Sequence, residues 1–247
     1  MEIFNRSTLK GFFQKGKVPT EVHFSNLIDS TINKIDDGFA KSVEHGLKLS
    51  SGGGESKKVI SLYNEIKDKN PQWSISINPT ETSEGLAFED SQNTNRLFLK
   101  NNNGIGVGTL DPNFELEVAG TMASTSRVGT YKSGSSIPAD GEWHIVLDAL
   151  EGCHTFEIVA KVEGVKKRGK YAMAHCIAVC ANGGRRNKIR LTQACYGWFW
   201  HRLMFRWNQD KEGMFRLEMK TKSHYGADND NNPITIHFHA TSLWANS

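Results

Sequence analysis

The sequence predicts a mainly β protein with an N-terminal α-helical segment, in which an elongated, trimeric β-rich shaft leads to an antiparallel β-sandwich head of jelly-roll type. Three observations support this. Short runs alternating apolar and polar residues recur from Val59 onward, parted by Gly, Pro, Asn and Asp, with no helical period between them. Apolar residues spaced three and four apart are confined to residues 1–48. Gly104, Gly106 and Gly108 alternate with Ile105 and Val107, so a strand period runs through positions without side chains, which invites close approach of another backbone.

Ser7 is placed to cap a short helix carrying Leu9, Phe12 and Phe13, and Gly16 to end it. Pro19-Thr20-Glu21 opens a second helix in which Phe24, Leu27, Ile28, Ile32 and Ile35 fall on one stripe. A helical hairpin this short has little to pack on. Three copies around an axis, or a socket on another protein, would cover the stripe. Residues 1–48 are therefore read as an attachment and trimerisation segment, with a helical cap on the following domain as the alternative.

Residues 49–128 form the expected shaft. The run SSGGG ending at Gly54 is a flexible joint. Val59–Tyr63, Trp73–Ile77, Leu86–Phe88 and Arg96–Leu99 read as short strands, with many turns for few strand residues. Chains interleaved around a threefold axis would supply the missing burial and remove exposed edges. Asp111-Pro112-Asn113 makes a turn, after which Phe114, Leu116 and Val118 alternate with Glu115 and Glu117 as a half-buried strand stopped at Gly120. A dinucleotide-binding loop would instead have to open a helix.

Residues 129–247 carry the head. Strands are expected at Trp143–Ala149, Phe156–Val162, Tyr171–Ala181, Lys188–Ala194, Tyr196–Trp207, Phe215–Thr221 and Ile234–Ala240, a spacing that argues for an antiparallel sandwich. Every tryptophan but Trp73 falls here, so this region holds the substantial core. Tyr196–Trp207 reads as one strand with Phe199, Leu203, Phe205 and Trp207 on a core face. Its other face receives Tyr196, Trp198, Trp200 and Met204, interrupted by Arg202 and Arg206, and cannot face the same core. It packs on a neighbouring subunit, binds glycan by stacking on sugar rings, or is covered by the chain's own loops.

The composition, 247 residues with 38% apolar and 23% charged, is ordinary for a soluble protein of one large or two modest domains. No apolar run is long enough to span a bilayer. The opening MEIFNRSTLKGFF lacks the continuous hydrophobic stretch of a signal peptide, so synthesis in the cytoplasm without such a signal is expected. A net charge of +3 does not point to nucleic acid. Lys161, Lys166, Lys167, Arg168, Lys170, Arg185, Arg186, Lys188 and Arg190 crowd into one stretch, read as solvated loop tips or as a site for an anionic glycan, a lipid headgroup or an acidic neighbouring subunit. Cys153, Cys176, Cys180 and Cys195 are expected as free buried thiols.

His237 and His239 share a strand face, whereas Cys176 and Cys180 point away from His175, so neither metal nor cofactor is assigned. Asp140, Glu142, Glu151 and Glu157 form no catalytic pair that spacing can define, and no GxSxG elbow occurs, so the chain is not read as an enzyme.

GIGVGTLDP followed by FELEVAG resembles an element that recurs in bacteriophage tail fibres and in appendages of tail-like injection particles. LKGFFQKGKVPTEVHFSNLIDSTINKIDDG is similar to the N-terminal segment of tail-fibre-like proteins from bacterial contractile injection systems. The resemblance implies a homotrimeric fibre whose N-terminal segment docks to a baseplate or other particle protein. Its middle, with Gly104, Gly106, Gly108 and Gly120, would be the shaft, and its head would meet a cell-surface glycan or protein receptor. Incorporation into a phage or an extracellular phage-tail-like particle is implied, without nucleic-acid partner or membrane insertion. Two alternatives stay open: a cap, cage or baseplate component without receptor binding, and a glycan-depolymerising spike.

Overall fold

The computed structural model describes residues 4–32, 37–51, 56–165, 169–181, 186–209 and 213–244. The fold is mainly β, with two short helices at the N-terminal end, as the sequence predicts. By contact the chain divides into two compact units, Met1–Ala123 and Ser124–Ser247.

Asn5, not Ser7, caps helix α1 (Arg6–Phe12), its Oδ1 accepting the Thr8 N–H at 2.9 Å. Thr20 precedes α2 (Glu21–Asp29), and its N–H donates to His23 Nδ1 at 3.1 Å. Phe12 stacks on His23 and Phe13 meets Phe24 edge-on, which joins the two helices. The helical segment is shorter than expected. Ser30 Oγ donates to the Asn26 carbonyl at 2.7 Å, a local bond of the kind that competes with continuing the helix. Residues 39–49 are a hairpin rather than helix: β1 (Phe39–Ser42) pairs antiparallel with β2 (Gly46–Leu49), with Gly38 and Gly46 both at positive φ. Phe24, Leu27, Ile28 and Ile32 are exposed, so the stripe is uncovered, and Ile35 lies outside the described residues.

A six-stranded sheet follows, in the order β3 (Lys58–Leu62), β4 (Trp73–Ile77), β5 (Gly85–Asp90), β6 (Asn95–Lys100), β7 (Ile105–Val107), β8 (Leu116–Val118). All neighbours are antiparallel except β7 and β8, which the proline turn leaves parallel. The backbone that crowds the glycines is the chain's own. A Cβ on Gly106 would lie 2.3 Å from the Thr109 carbonyl oxygen, and one on Gly104 would lie 3.0 Å from that of Phe114. Gly108 has φ +75, and Gly120 borders open space.

The two faces of this sheet differ sharply. Ser74, Ser76, Ala87, Phe98 and Gly106 are buried on one side, where the Phe98 ring covers Gly85. The larger apolar residues point the other way. Ile60, Ile75, Phe88, Leu97, Val107 and Val118 form one row by strand register. Ile77, Leu86, Leu99, Ile105 and Leu116 form a second. None of these side chains is buried.

The second unit contains β9 (Lys132–Pro138), β10 (His144–Leu150), β11 (His154–Glu163), β12 (Tyr171–Cys180), β13 (Lys188–Tyr196), β14 (Leu203–Gln209), β15 (Phe215–Thr221) and β16 (Thr235–Ser242). One antiparallel sheet runs β13-β12-β11-β16-β9 and another β10-β15-β14. Strict alternation in β11 and β12 sends Phe156, Ile158, Val162, Cys176 and Ala178 inward. They join Val146, Leu203, Leu217 and Met219 of the smaller sheet in one core. Strand β9, KSGSSIP, lacks an alternating apolar signal and is held at the sheet edge by pairing with β16.

Tyr196–Trp207 is not one strand. β13 ends at Tyr196, a 3₁₀ turn occupies Phe199–His201, and β14 begins at Leu203. The chain here leaves the edge of the five-stranded sheet and enters the edge of the three-stranded one. Leu203 is buried and Phe205 and Trp207 pack partly against the core as expected, whereas Phe199 is exposed.

Candidate functional site

The crossover between β13 and β14 carries four exposed aromatic residues, Tyr196, Trp198, Phe199 and Trp200. Tyr196 pairs with Tyr171 at the end of its strand, and Gly197 then turns the chain at φ +93. No other residue fits there without movement, because a Cβ would lie 2.6 Å from the Gly169 carbonyl oxygen and 2.9 Å from His201 Nδ1. Trp198 leads into the 3₁₀ turn. Its ring and that of Trp200 are stacked, with centroids 6.1 Å apart and planes 19° apart, and Phe199 touches Trp200 at 3.8 Å.

Buried groups fix this loop from beneath. His201 is buried, and its Nδ1 hydrogen-bonds the Tyr196 carbonyl at 3.1 Å. The Tyr225 hydroxyl donates to the His201 carbonyl at 2.7 Å, and burial raises that phenol's pKa further above its ordinary value, so it stays a donor. The Lys222 N–H donates to the Arg202 carbonyl at 2.8 Å, and Ser223 Oγ to that of Trp200 at 3.0 Å. Lys222 Nζ lies 4.3 Å from the Phe199 ring centroid.

The result is a rigid backbone carrying open rings. Tyr196 is 68% exposed, Trp198 67% and Trp200 45%, and Arg202 and Met204 are exposed as well. Tyr196 also borders a groove of about 340 Å³, lined further by Tyr171, Met173, Ala194, Lys161 and Glu163. Flat apolar rings beside charged rims can stack on a ring-shaped ligand or pack against a protein surface. Of the expected set, Trp198 and Trp200 stack on each other, on a crossover rather than a strand face, whereas the Tyr196 ring meets Tyr171 instead. Sequence reading missed the anchors: His201 of the loop itself, and Lys222, Ser223 and Tyr225 from a distant stretch. Gly197 inside an apparent strand was the available signal.

The other candidates stay apart. His237 and His239 both point outward from β16, and His239 shares a cross-strand row with Val159 and His175. His175 Nε2 bonds Glu157 at 2.9 Å, and Glu157 also pairs with Arg127. Among the described residues no group of three or more His, Cys, Asp or Glu comes together to hold a metal. All four cysteines are free; Cys176 and Cys180 are buried, Cys195 is half-buried, and Cys153 is exposed where a buried thiol was expected. Burial pushes the Cys176 thiol up to about 12, which makes it an inert core residue.

Asp140 belongs to a turn: it bonds His144 Nε2 at 2.8 Å and the Glu142 N–H at 2.9 Å. Burial alone would raise its pKa, but those bonds and the neighbouring histidine hold it below the usual value. Lys166, Lys167, Arg168 and Arg185 of the basic stretch lie outside the described residues. No helix among the described residues is long and apolar enough to cross a membrane. No protein-family model matches the chain, and no curated protein matches it.

Proposed function

We propose that the chain is a structural and receptor-binding subunit of a phage tail or phage-tail-like contractile injection particle, acting as a homotrimeric fibre. Its N-terminal segment docks to a baseplate or other particle protein, and its C-terminal sandwich binds a cell-surface glycan or protein. The mechanism is adhesion without catalysis: three modest contacts act through one trimer, and several trimers per particle raise avidity again.

The observation that carries this reading is the aromatic crossover, in which Trp198 and Trp200 stay exposed on a backbone fixed by Tyr225 and His201. Leaving such rings in water is unfavourable, and a rigid, pre-formed platform reduces the entropy cost of binding. The likeness of GIGVGTLDP and FELEVAG to tail-fibre sequence supplies the particle context.

The test is binding of the full-length protein to host cells and to their purified surface polysaccharide, with Trp198→Ala and Trp200→Ala beside the wild type. Each substitution is expected to lower binding by about tenfold or more, since hot-spot aromatic residues carry roughly 2 kcal/mol or more. Stability should change by less than about 0.5 kcal/mol, as for other exposed positions. Wild-type protein that binds neither cells nor polysaccharide, yet co-assembles with particle components, would replace this reading with that of a cap, cage or baseplate component.

A further inference from the structure

The side of the six-stranded sheet that carries the large apolar residues is uncovered, with none of them buried. Its two register rows cross the sheet from β4 to β8 without a charged side chain. Leu62 and Trp73, paired with each other, extend it at one end. Asp90 shares this side only at the rim, where Arg96 holds it at 2.6 Å. With side chains such as Trp73 at 48% and Leu116 at 56% exposure, the open apolar area is on the order of 800 Å². A monomer's largest apolar patch is usually about 300–600 Å².

The sheet cannot hide these residues by turning over. Its opposite side is already closed by Phe98 packed over Gly85 and by the Thr109 turn against Gly106. The occupant must also be apolar, because a polar partner would lose hydration here and find no hydrogen-bonding group in return.

We propose that this face is the self-association seam of the chain, covered by the same face of further copies arranged around a threefold axis. A second copy is the partner the surface fits: it brings an equally apolar, charge-free face of the same extent, and roughly 800 Å² per chain is what a standard interface buries on each side. The inference rests on the homotrimeric reading above and gives it a residue-level surface. It also moves the expected inter-chain contact away from Gly104 and Gly106, whose close neighbours lie within the chain.

Light scattering on the full-length protein tests it, using Leu99→Arg in the centre of the face and Ser61→Arg on the sheet's other side, where Ser61 pairs with Ser74. The expected masses are three chains for the wild type and for Ser61→Arg, and one chain for Leu99→Arg. A monomeric wild type overturns the seam, as does a Leu99→Arg protein that keeps the full mass. A wild-type dimer that Leu99→Arg splits overturns the threefold arrangement.

In case Leu99→Arg fails to fold, Ile105→Cys is the milder probe. Inside the seam its thiol should react with maleimide about tenfold more slowly than the exposed Cys153 of the same protein, because reaction follows access. Equal rates overturn the proposal. Binding by the head is read separately through Trp198→Ala, so failure of the seam and failure of the receptor reading give different results.

Discussion

Glu218 is 5% exposed on the outward side of the three-stranded sheet, and three partners keep it charged. It accepts from Arg206 Nε at 2.6 Å and from Asn208 Nδ2 at 3.0 Å, and pairs with Arg216 at 3.2 Å. Burial pushes its pKa up, but the Asn208 and Arg206 bonds and the two guanidinium charges outweigh burial and hold it below the ordinary 4.5. A carboxylate with a lowered folded-state pKa stabilises the fold fully above its unfolded value, and that stabilisation fades as pH falls through the folded value. Glu218→Gln should therefore cost about 1.5–3 kcal/mol at pH 7, the range for hydrogen bonds to a charged group. Denaturant titrations at neutral pH and near pH 3 check this: the gap between the proteins must narrow on acidification. An unchanged gap would assign the loss to packing instead. None of this was legible in the sequence. Arg206 and Glu218 meet only because β14 and β15 pair in one register, a long-range fact that local pattern does not carry.

At the scale of elements, legibility followed periodicity. Trp73–Ile77 and Phe215–Thr221 were anticipated at their observed bounds because each is a clean alternation between clear turns. β9 was missed because KSGSSIP owes its place to a neighbour, and the helical expectation overran residues 39–49 because a hairpin there needs two glycines more than an apolar pattern. Tyr196–Trp207 was misread for another reason: aromatic residues continued the alternation across a point where the chain changes sheets. Gly197 makes that change possible, and its substitution measures how much. Gly197→Ala must bear both a left-handed backbone, about 1–2 kcal/mol, and the contact with Gly169 and His201. Gly152→Ala is the comparison, since Gly152 has φ +86 but nothing within 4 Å. Thermal unfolding should show Gly197→Ala as the costlier change, and the binding proposed for the aromatic loop should fall as the loop shifts. Equal costs would mean that the crossover yields freely, and the rigidity argued for its platform would fail.

At the scale of the whole molecule, the β-rich class was plain in the sequence because alternation with frequent turns filled most of the chain. Which side of the first sheet would be closed was not plain, because small residues such as Ser74, Ser76, Ala87 and Gly106 give no apolar signal. That inversion leaves the two units unequally equipped. Among the described residues of Met1–Ala123 the buried apolar side chains are Leu9, Ala87, Phe98 and Pro112, whereas Ser124–Ser247 has a core drawn from both of its sheets. A sheet whose large side chains remain in water gains little hydrophobic stabilisation from folding alone, and with the seam proposed above most of that gain would come from association. Stability of the first unit should then depend on protein concentration, as binding to the folded state alone requires, while the sandwich unfolds as an ordinary intramolecular transition. Calorimetry over a hundredfold range of concentration is expected to show two transitions, one rising with concentration and one fixed. In Leu99→Arg the rising transition should vanish or drop to low temperature while the fixed one stays. Two transitions that both ignore concentration would mean that the first unit is stable with its apolar rows in water, and the physical case for covering them with copies of the chain would be lost.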